Sequence, residues 1–365
     1  MLQPRPDIDR LTYCSHGGIN YEELESLGIS PHTVLDFSVC CNPFGPPPGV
    51  KEALVEVPLD RYPDSEAGEL KQLLAKKLNI TPNNLLIGSG STELIRLITI
   101  AYLDRGDTVL IPQPTYGEYE IACCLSGAQV LKQPWLGDPD FRLDTAEIIR
   151  LIENHRPKGV FLCSPNNPTG QYMTKQQLEN IMSAAKDCLI ILDEAYIAFT
   201  EDAWSSIDLI KQGNLVILRS MTKDYALAGL RLGYAIADEP IISILKRIRP
   251  PWNVNIMAQK AGIIVLNAEG YLEECHAKIR ELKRFLVKEL ANLGLSPLAS
   301  QTNFFLVRVG SATKFRRTLL NKGILVRDCT SFGLPQHIRL APRTLPDCKT
   351  LVTAIREIGV LSHAC

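Results

Sequence analysis

Short apolar runs alternate with amphipathic segments between about residues 85 and 235. The apolar runs occupy residues 84–87, 108–111, 159–163, 189–192 and 215–218. They are continuous rather than alternating, which indicates strands buried on both faces of a mostly parallel sheet. The segments between them have helical patterns. The sequence therefore predicts an α/β fold with helices on both faces of the sheet.

A different pattern follows in the last third of the chain. Residues 271 to about 293 are charged on one side and apolar on the other, as in an amphipathic helix. Strand-like runs come next, at residues 303–308, 323–328 and 337–343. We therefore divide the chain into an N-terminal segment (1–45), a large domain (46–255) and a small C-terminal α+β domain (256–365). The proline-rich residues 42–48 form the first connector.

The composition is that of an ordinary globular enzyme. The chain has 365 residues, of which 45% are hydrophobic and 22% charged, with a net charge of −1. This charge gives no reason to expect nucleic acid or an anionic membrane as a partner. No apolar run approaches the roughly 18 residues that indicate a membrane span. The N-terminus lacks the apolar region of a signal peptide.

The chain has many cysteines, 11 in all, but no disulfide framework is indicated. They are scattered, with two vicinal pairs and no C-x-x-C motif, and several lie in apolar runs. Free cysteines behave as small buried apolar residues, so we expect a reducing cytoplasm. No spacing of cysteine and histidine indicates a zinc site, and we predict no metal.

The most informative segment follows the apolar run at residues 215–218. It places Lys223 after Ser220 and Thr222 and has Arg231 eight positions later. Most lysines are exposed surface cations, but hydroxyls and an arginine beside a buried strand suit a phosphate monoester. An amine that forms a Schiff base needs a partly desolvated site with cationic neighbours. Together these residues indicate pyridoxal 5′-phosphate (PLP).

At these residues the chain resembles the fold-type I PLP enzymes of aminotransferase class I/II. Further segments agree in the order of that family: GSGSTE at 88–93, PTY at 114–116, SPNNPTG at 164–170 and LDEAY at 192–196. The resemblance extends from about residue 14 to about residue 345. It implies a PLP-dependent transferase fold, with a mostly parallel mixed sheet between helices in the large domain. It also implies a homodimer, with residues 1–45 packed on the small domain near the dimer interface.

The resemblance implies a role for each matching residue. Lys223 would carry the cofactor, Asp193 would pair with its pyridine nitrogen, and Tyr196 would act with them in catalysis. Tyr196 and Asn167 would hydrogen-bond the phenolic oxygen, and Tyr116 would stack on the ring. The cofactor phosphate would be held by Ser91, Thr92, Ser220, Thr222 and Arg231, with Tyr62 reaching it from the second subunit.

Within this family the ends of the chain most resemble the threonine-phosphate decarboxylases of cobalamin biosynthesis. The resembling segments include residues 16–18, 28–31, 251–255 and 324–329. We therefore predict decarboxylation of a phosphorylated amino acid, O-phospho-L-threonine. The resemblance implies these substrate-binding residues: His16, Gly17, Cys40, Asn167, Arg327 and Arg339. Arg343 is a second candidate for the carboxylate site.

One departure affects the choice of substrate. The subgroup has asparagine where this chain has Cys40, and a thiol cannot replace the paired donor and acceptor of an amide. Phosphoserine or another phosphorylated amino acid therefore stays open as the substrate. The alternative reaction is transamination, as in the related histidinol-phosphate aminotransferases.

Two further classes of protein stay open at this point. A dinucleotide-binding dehydrogenase could use the glycine turn at residues 88–90, but no acidic residue ends a strand about twenty residues later. A non-catalytic protein with the PLP-enzyme fold is the other class, although Lys223, Asp193 and Arg231 are all present.

Overall fold

The computed structural model describes residues 2, 3, 5–9, 11, 14–134 and 137–359. The strands in these residues are β1 (Leu35–Asp36), β2 (Leu85–Gly88), β3 (Thr108–Pro112), β4 (Gln129–Gln133), β5 (Gly159–Cys163), β6 (Leu189–Asp193), β7 (Leu215–Ser220), β8 (Gly233–Ala237), β9 (Ser296–Pro297), β10 (Phe305–Arg308), β11 (Ile324–Leu325), β12 (Arg327–Asp328) and β13 (His337–Leu340).

The helices in the same residues are α1 (Pro6–Asp9), α2 (Tyr21–Ser26), α3 (Val50–Val55), α4 (Gly68–Leu78), α5 (Ser91–Tyr102), α6 (Glu118–Leu125), α7 (Thr145–His155), α8 (Lys175–Ala184), α9 (Glu239–Ile248), α10 (Ile256–Asn267), α11 (Tyr271–Asn292), α12 (Ala312–Leu320) and α13 (Leu345–Glu357). None of the helices in the described residues is long and apolar enough to cross a membrane.

Seven strands form the main sheet in the order β2-β8-β7-β6-β5-β3-β4. The pairs from β7 to β4 are parallel, whereas β8 runs antiparallel to both β2 and β7. The predicted α/β fold with a mostly parallel mixed sheet is therefore confirmed. The five apolar runs are all strands of this sheet. β4 and β8 were not predicted from the sequence.

The two faces of the sheet have separate apolar cores. On β7, Leu215 and Ile217 pack into one core while Val216 and Leu218 pack into the other. Successive side chains of a strand point to opposite faces, so a strand covered by helices on both sides must be apolar at every position. This burial fixes β6 and β7 rigidly, and their carboxyl ends carry the residues that form the site.

The C-terminal part has its own sheet, in the order β12-β13-β10-β9, packed against α11, α12 and α13. The predicted strand at residues 323–328 divides into β11 and β12. β11 pairs in parallel with β1, whereas β12 pairs antiparallel with β13. The N-terminal segment is therefore attached to the C-terminal part through β1. The domain boundaries at residues 45/46 and 255/256 stay predictions.

Candidate active site

A group of hydrogen-bond donors lies where β2 and β7 end and α5 begins. α5 starts at Ser91 without a side-chain cap, so its first backbone N–H groups have no side-chain acceptor. The Ser220 and Thr222 hydroxyls lie 2.6 Å apart beside it. The guanidinium of Arg231 adds a fixed positive charge. A helix N-terminus with hydroxyls and a guanidinium suits a phosphate dianion.

Two glycines allow these elements to approach one another. Gly90 has φ +76°, and a Cβ there would lie 2.8 Å from Nη2 of Arg231. A Cβ on Gly233 would lie 2.9 Å from the backbone nitrogen of Ser91. Glycine at both positions therefore keeps β8, the start of α5 and the arginine in close contact.

Asp193 is the last residue of β6 and is 3% exposed. Its Oδ2 accepts a hydrogen bond of 2.7 Å from the Tyr119 hydroxyl, and its Oδ1 accepts one of 2.9 Å from the Ala195 backbone. Burial raises the pKa of Asp193, and the Tyr119 hydrogen bond opposes that rise. A buried carboxylate that forms no ion pair within the described residues suits a cationic ring nitrogen.

Tyr119, which is fully buried, was not predicted from the sequence. It stacks on Phe161 with ring centroids 4.9 Å apart and meets Tyr116 edge to face at 5.5 Å. A tyrosine on the buried side of a helix is indistinguishable in sequence from an ordinary core residue. Its position one turn after the Pro-Thr-Tyr motif is the only signal that could have drawn attention to it.

Lys223 lies in the turn that follows β7 and is half-buried. Its backbone carbonyl accepts a hydrogen bond of 2.7 Å from the Asn42 backbone. The Asn42 side chain also donates to the carbonyl of Asp224 at 3.0 Å. The N-terminal segment therefore fixes the turn that carries the lysine.

The remaining predicted ring contacts lie around this turn. Tyr196 and Asn167 are both 7% exposed. Tyr116 is half-buried, and its hydroxyl lies 3.5 Å from that of Thr92. These predicted cofactor residues line one small cavity with the phosphate donors: Ser91, Thr92, Tyr116, Asn167, Asp193, Tyr196, Ser220, Thr222, Lys223 and Arg231.

Two buried arginines lie side by side on neighbouring strands. Arg339 on β13 is the register partner of Arg327 on β12. Arg339 donates to the Asn167 carbonyl oxygen, and its Nη2 donates to the Ser38 carbonyl at 2.9 Å. Its buried Nε has no hydrogen-bond partner among the residues that the structure describes. Because Arg339 occupies the side-chain oxygen of Asn167, the side-chain NH2 group of Asn167 is the part that can donate to a ligand.

Arg327 braces the N-terminal segment. It donates to the Ser15 carbonyl at 2.6 Å and to the Ser331 hydroxyl at 2.6 Å. Burial lowers the pKa of Arg327, and the nearby charge of Arg339 lowers it further. Two guanidiniums this close favour an anionic ligand between or beside them.

The N-terminal residues predicted to bind substrate lie outside the small cavity, in one that shares Lys223 and Asn167 with it. We call these two cavities together the cleft. His16 Nε2 donates a hydrogen bond of 3.0 Å to Oε1 of Glu118, the first residue of α6. A Cβ on Gly17 would lie 2.7 Å from the Ser38 carbonyl, so glycine permits this close packing. Both residues line a second cavity of about 430 Å³ that also holds Lys223 and Arg339.

Cys40 is 2% exposed and packs with apolar residues, including Tyr196 and Phe304. Its backbone carbonyl accepts a hydrogen bond from Asn303, and burial raises the pKa of its thiol. The position thus belongs to an apolar wall of the second cavity. A substrate contact through Cys40 stays a prediction.

Two candidates lie apart from the cleft within this chain. Tyr62 is 75% exposed and stacks on Trp252 with ring centroids 4.2 Å apart. Arg343 is held by Asp347 and by the Asp36 carbonyl, at 3.2 and 3.3 Å. Neither residue lines the two cavities that hold Lys223.

A larger cavity of about 630 Å³ lies beyond Asn166. It is lined by residues such as Gln113, Phe141 and Arg142 and contains neither Lys223 nor Asp193. We therefore locate the candidate active site by the convergence of chemically matched side chains rather than by volume.

Comparison with known proteins identifies the family. The aminotransferase class I and II family matches residues 32–355, so the chain belongs to that family. The resemblance indicated by the sequence motifs is confirmed, and with it the PLP dependence that the motifs predicted. The chain is 36% identical over 302 residues to histidinol-phosphate aminotransferase 2 of Carboxydothermus hydrogenoformans, covering 81% of this chain and 82% of that protein.

Solved structures lead to the same family. Histidinol-phosphate aminotransferase from Sinorhizobium meliloti, in complex with pyridoxal-5′-phosphate, superposes with a TM-score of 0.88 at 26% identity over 98% of both chains. L-threonine-O-3-phosphate decarboxylase from Porphyromonas gingivalis has a TM-score of 0.77 at 28% identity, over 88% of this chain and 98% of that one.

The prediction of threonine-phosphate decarboxylation is wrong. Relatives that are 30% to 36% identical over most of the chain are named histidinol-phosphate aminotransferases. The features that favoured the decarboxylase are a phosphate site and a carboxylate site, which do not determine which bond at the substrate Cα breaks. The early His-Gly-Gly has structural uses: Gly17 packs on Ser38, and the Gly18 backbone donates to the Ser38 hydroxyl at 2.7 Å.

Proposed function

We propose that this protein transfers an amino group between histidinol phosphate and an α-keto acid. The observation that carries the proposal is a pair of cavities that share Lys223: one is lined by Asp193 and the phosphate cup (the start of α5, Ser220, Thr222 and Arg231), and the other by the two buried arginines. Similarity to histidinol-phosphate aminotransferases over most of the chain supports the choice of substrate. PLP is the cofactor. When bound, it supplies an aldehyde that takes up the amino group and a protonated ring that withdraws electrons.

The residues around the ring suit that chemistry. The phosphate cup would hold the phosphate of the cofactor, and the Asp193 carboxylate would pair with its ring nitrogen. Tyr116 would pack against the ring, and Asn167 and Tyr196 would donate hydrogen bonds to its phenolic oxygen. Together these residues would orient the cofactor toward Lys223.

Proton transfer at the substrate would fall to Lys223, whose amine would remove the proton from the substrate Cα and carry it to the cofactor. The amino group would remain with the cofactor, and water would release the substrate as a ketone. The α-keto acid would then take up the amino group, with Lys223 moving the proton in the opposite direction.

The two arginines divide the binding of the two substrates. Arg327 and the segment around His16 hold the phosphate of histidinol phosphate. Arg339 holds the carboxylate of the keto-acid partner, for which a planar guanidinium gives a bidentate contact. Histidinol phosphate has no carboxylate, so Arg339 acts mainly in the second half-reaction.

We also propose that the active form is a homodimer. Tyr62 and Trp252 form an exposed aromatic pair, and Leu59 and Val55 nearby in the chain are 77% and 86% exposed. Exposed aromatic and aliphatic side chains of this kind are typical of a protein interface. In this arrangement Tyr62 serves the cofactor phosphate of the other subunit.

The experiment is a coupled transamination assay. Purified enzyme with PLP is incubated with histidinol phosphate and 2-oxoglutarate, and glutamate formation is measured. Glutamate formed only in the presence of histidinol phosphate supports the proposal. Glutamate formed equally well from other amines, with no preference for histidinol phosphate, contradicts the assigned substrate.

A further inference from the structure

Three side chains of different chemistry converge at the mouth of the cleft: Cys14, His16 and Glu118. The thiol sulfur, a ring nitrogen and a carboxylate oxygen lie within 4.8 Å of one another. His16 Nε2 lies 3.0 Å from Glu118 Oε1. The first two come from one loop, whereas Glu118 opens α6 about a hundred residues further on. No spacing in the sequence indicates this group, because only the fold brings its members together.

The surrounding structure holds these side chains in place. A Cβ on Gly117 would lie 2.6 Å from the Cys14 sulfur, so only glycine lets the thiol approach the start of α6. Arg327 fixes the loop that joins Cys14 to His16 by donating a hydrogen bond to the Ser15 carbonyl. Arg96 lies 3.6 Å from the second oxygen of Glu118, whose side chain is 9% exposed.

We propose that Cys14, His16 and Glu118 bind a zinc ion. One thiolate, one imidazole and one carboxylate, with a fourth position open to solvent, form a typical ligand set for zinc and a poor one for calcium or magnesium. Zinc–ligand bonds of about 2.0–2.3 Å in tetrahedral geometry separate the ligand atoms by about 3.4–3.6 Å. The observed separations need only small side-chain movements to reach that range.

The site supplies two negative charges to the dication, from the thiolate and the carboxylate, while Arg96 beside Glu118 adds one positive charge. The thiol proton passes to solvent when the metal binds. The three residues line the same cavity as Arg339 and Lys223. A zinc ion held there therefore shares the cavity with the substrate. Binding itself does not depend on the proposed function, so either can fail without the other.

The test measures zinc binding directly. Holoenzyme freed of metal by chelation is dialysed against buffered zinc, and bound metal per chain is measured by mass spectrometry. The variants are Cys14→Ser, His16→Gln and Glu118→Gln. The matched control is Cys124→Ser, a half-buried cysteine on the same helix as Glu118. We expect one zinc per wild-type and control chain and affinity lowered about tenfold or more in each ligand variant.

The absorption spectrum with cobalt in place of zinc is a second measurement. It distinguishes direct binding of the metal by the Cys14 thiolate from an indirect structural effect of the substitution. We expect a thiolate-to-cobalt charge-transfer band with wild-type and Cys124→Ser enzyme and none with Cys14→Ser. Each variant must keep its far-ultraviolet circular dichroism and bound cofactor. Equal zinc affinity in all variants, or a cobalt complex without the thiolate band, overturns the proposal.

Discussion

Tyr119 donates a hydrogen bond of 2.7 Å to Asp193, the carboxylate at the end of the central strand β6. Both side chains are buried, and the phenol is held by stacking on Phe161. The tyrosine therefore sets both the position and the ionisation of the carboxylate that faces the cofactor ring. It acts through Asp193 and is a positioning residue.

Replacing this tyrosine tests that role. Tyr119→Phe removes a hydrogen bond to a charged group, worth about 1.5–3 kcal/mol, and leaves the pKa of Asp193 higher still. Since activity requires the ionised carboxylate, it is lost as pH falls through that pKa. We expect the acidic limb of the kcat profile to move to higher pH, with kcat lowered about tenfold. Tyr102→Phe is the control, because the buried Tyr102 hydroxyl has no hydrogen-bond partner within the described part of the chain. An unchanged acidic limb in Tyr119→Phe would contradict the assigned role.

Lys223→Ala tests the attachment of the cofactor. We expect no turnover and no covalent adduct after borohydride reduction, with the fold intact. The matched control is Lys283→Met. Burial lowers the pKa of Lys283 to about 8, yet its amine donates to the Ser300 and Thr302 carbonyls at 2.5 and 2.7 Å. The adduct therefore stays on Lys223 in that variant, as peptide mass mapping would detect. An adduct on any other lysine in wild-type enzyme refutes the assignment.

Gly90→Ala tests the phosphate cup. The added methyl group would lie 2.8 Å from Arg231, and the alanine backbone would have to keep the positive φ of Gly90. We expect cofactor affinity to fall about tenfold or more, since one charged phosphate contact is displaced. Gly106→Ala is the control, with φ +91° and open space around the new Cβ. Both lose stability through the backbone, but only Gly90→Ala is expected to lose cofactor in equilibrium dialysis.

The two arginines are expected to separate kinetically. Arg339→Lys loses the planar guanidinium, and we expect the KM for the keto acid to rise about tenfold to a hundredfold. The KM for histidinol phosphate is expected to change less. Arg327→Gln is expected to have the opposite pattern. Arg343→Lys serves as control, because Arg343 is paired with Asp347 outside the cleft. Equal effects of both variants on both substrates would argue against the division of roles.

The sequence predicted the central sheet because residues 159–163, 189–192 and 215–218 of β5, β6 and β7 are continuously apolar, a pattern typical of strands covered on both faces. β8 was missed because its five residues, Gly-Tyr-Ala-Ile-Ala, include only one β-branched residue. Its insertion between β2 and β7 follows from tertiary packing, which Gly233 permits.

The site was predictable where a residue type performs a chemical task beside a strand end, as at Lys223 and Asp193. Residues that act by positioning another residue have no such pattern in the sequence. Tyr119 has the sequence surroundings of an ordinary core tyrosine, and Cys14 and Glu118 are distant from each other in the chain. The reaction was predicted wrongly because substrate binding groups say nothing about which bond breaks.

The most direct test of the central claim is the first half-reaction alone. Holoenzyme is mixed with histidinol phosphate and no keto acid, and the absorbance of the cofactor is followed. Transfer of the amino group predicts stoichiometric loss of the aldehyde form of the cofactor, appearance of pyridoxamine phosphate, and recovery of the starting spectrum when keto acid is added. A cofactor spectrum that stays unchanged in histidinol phosphate would contradict the proposed function.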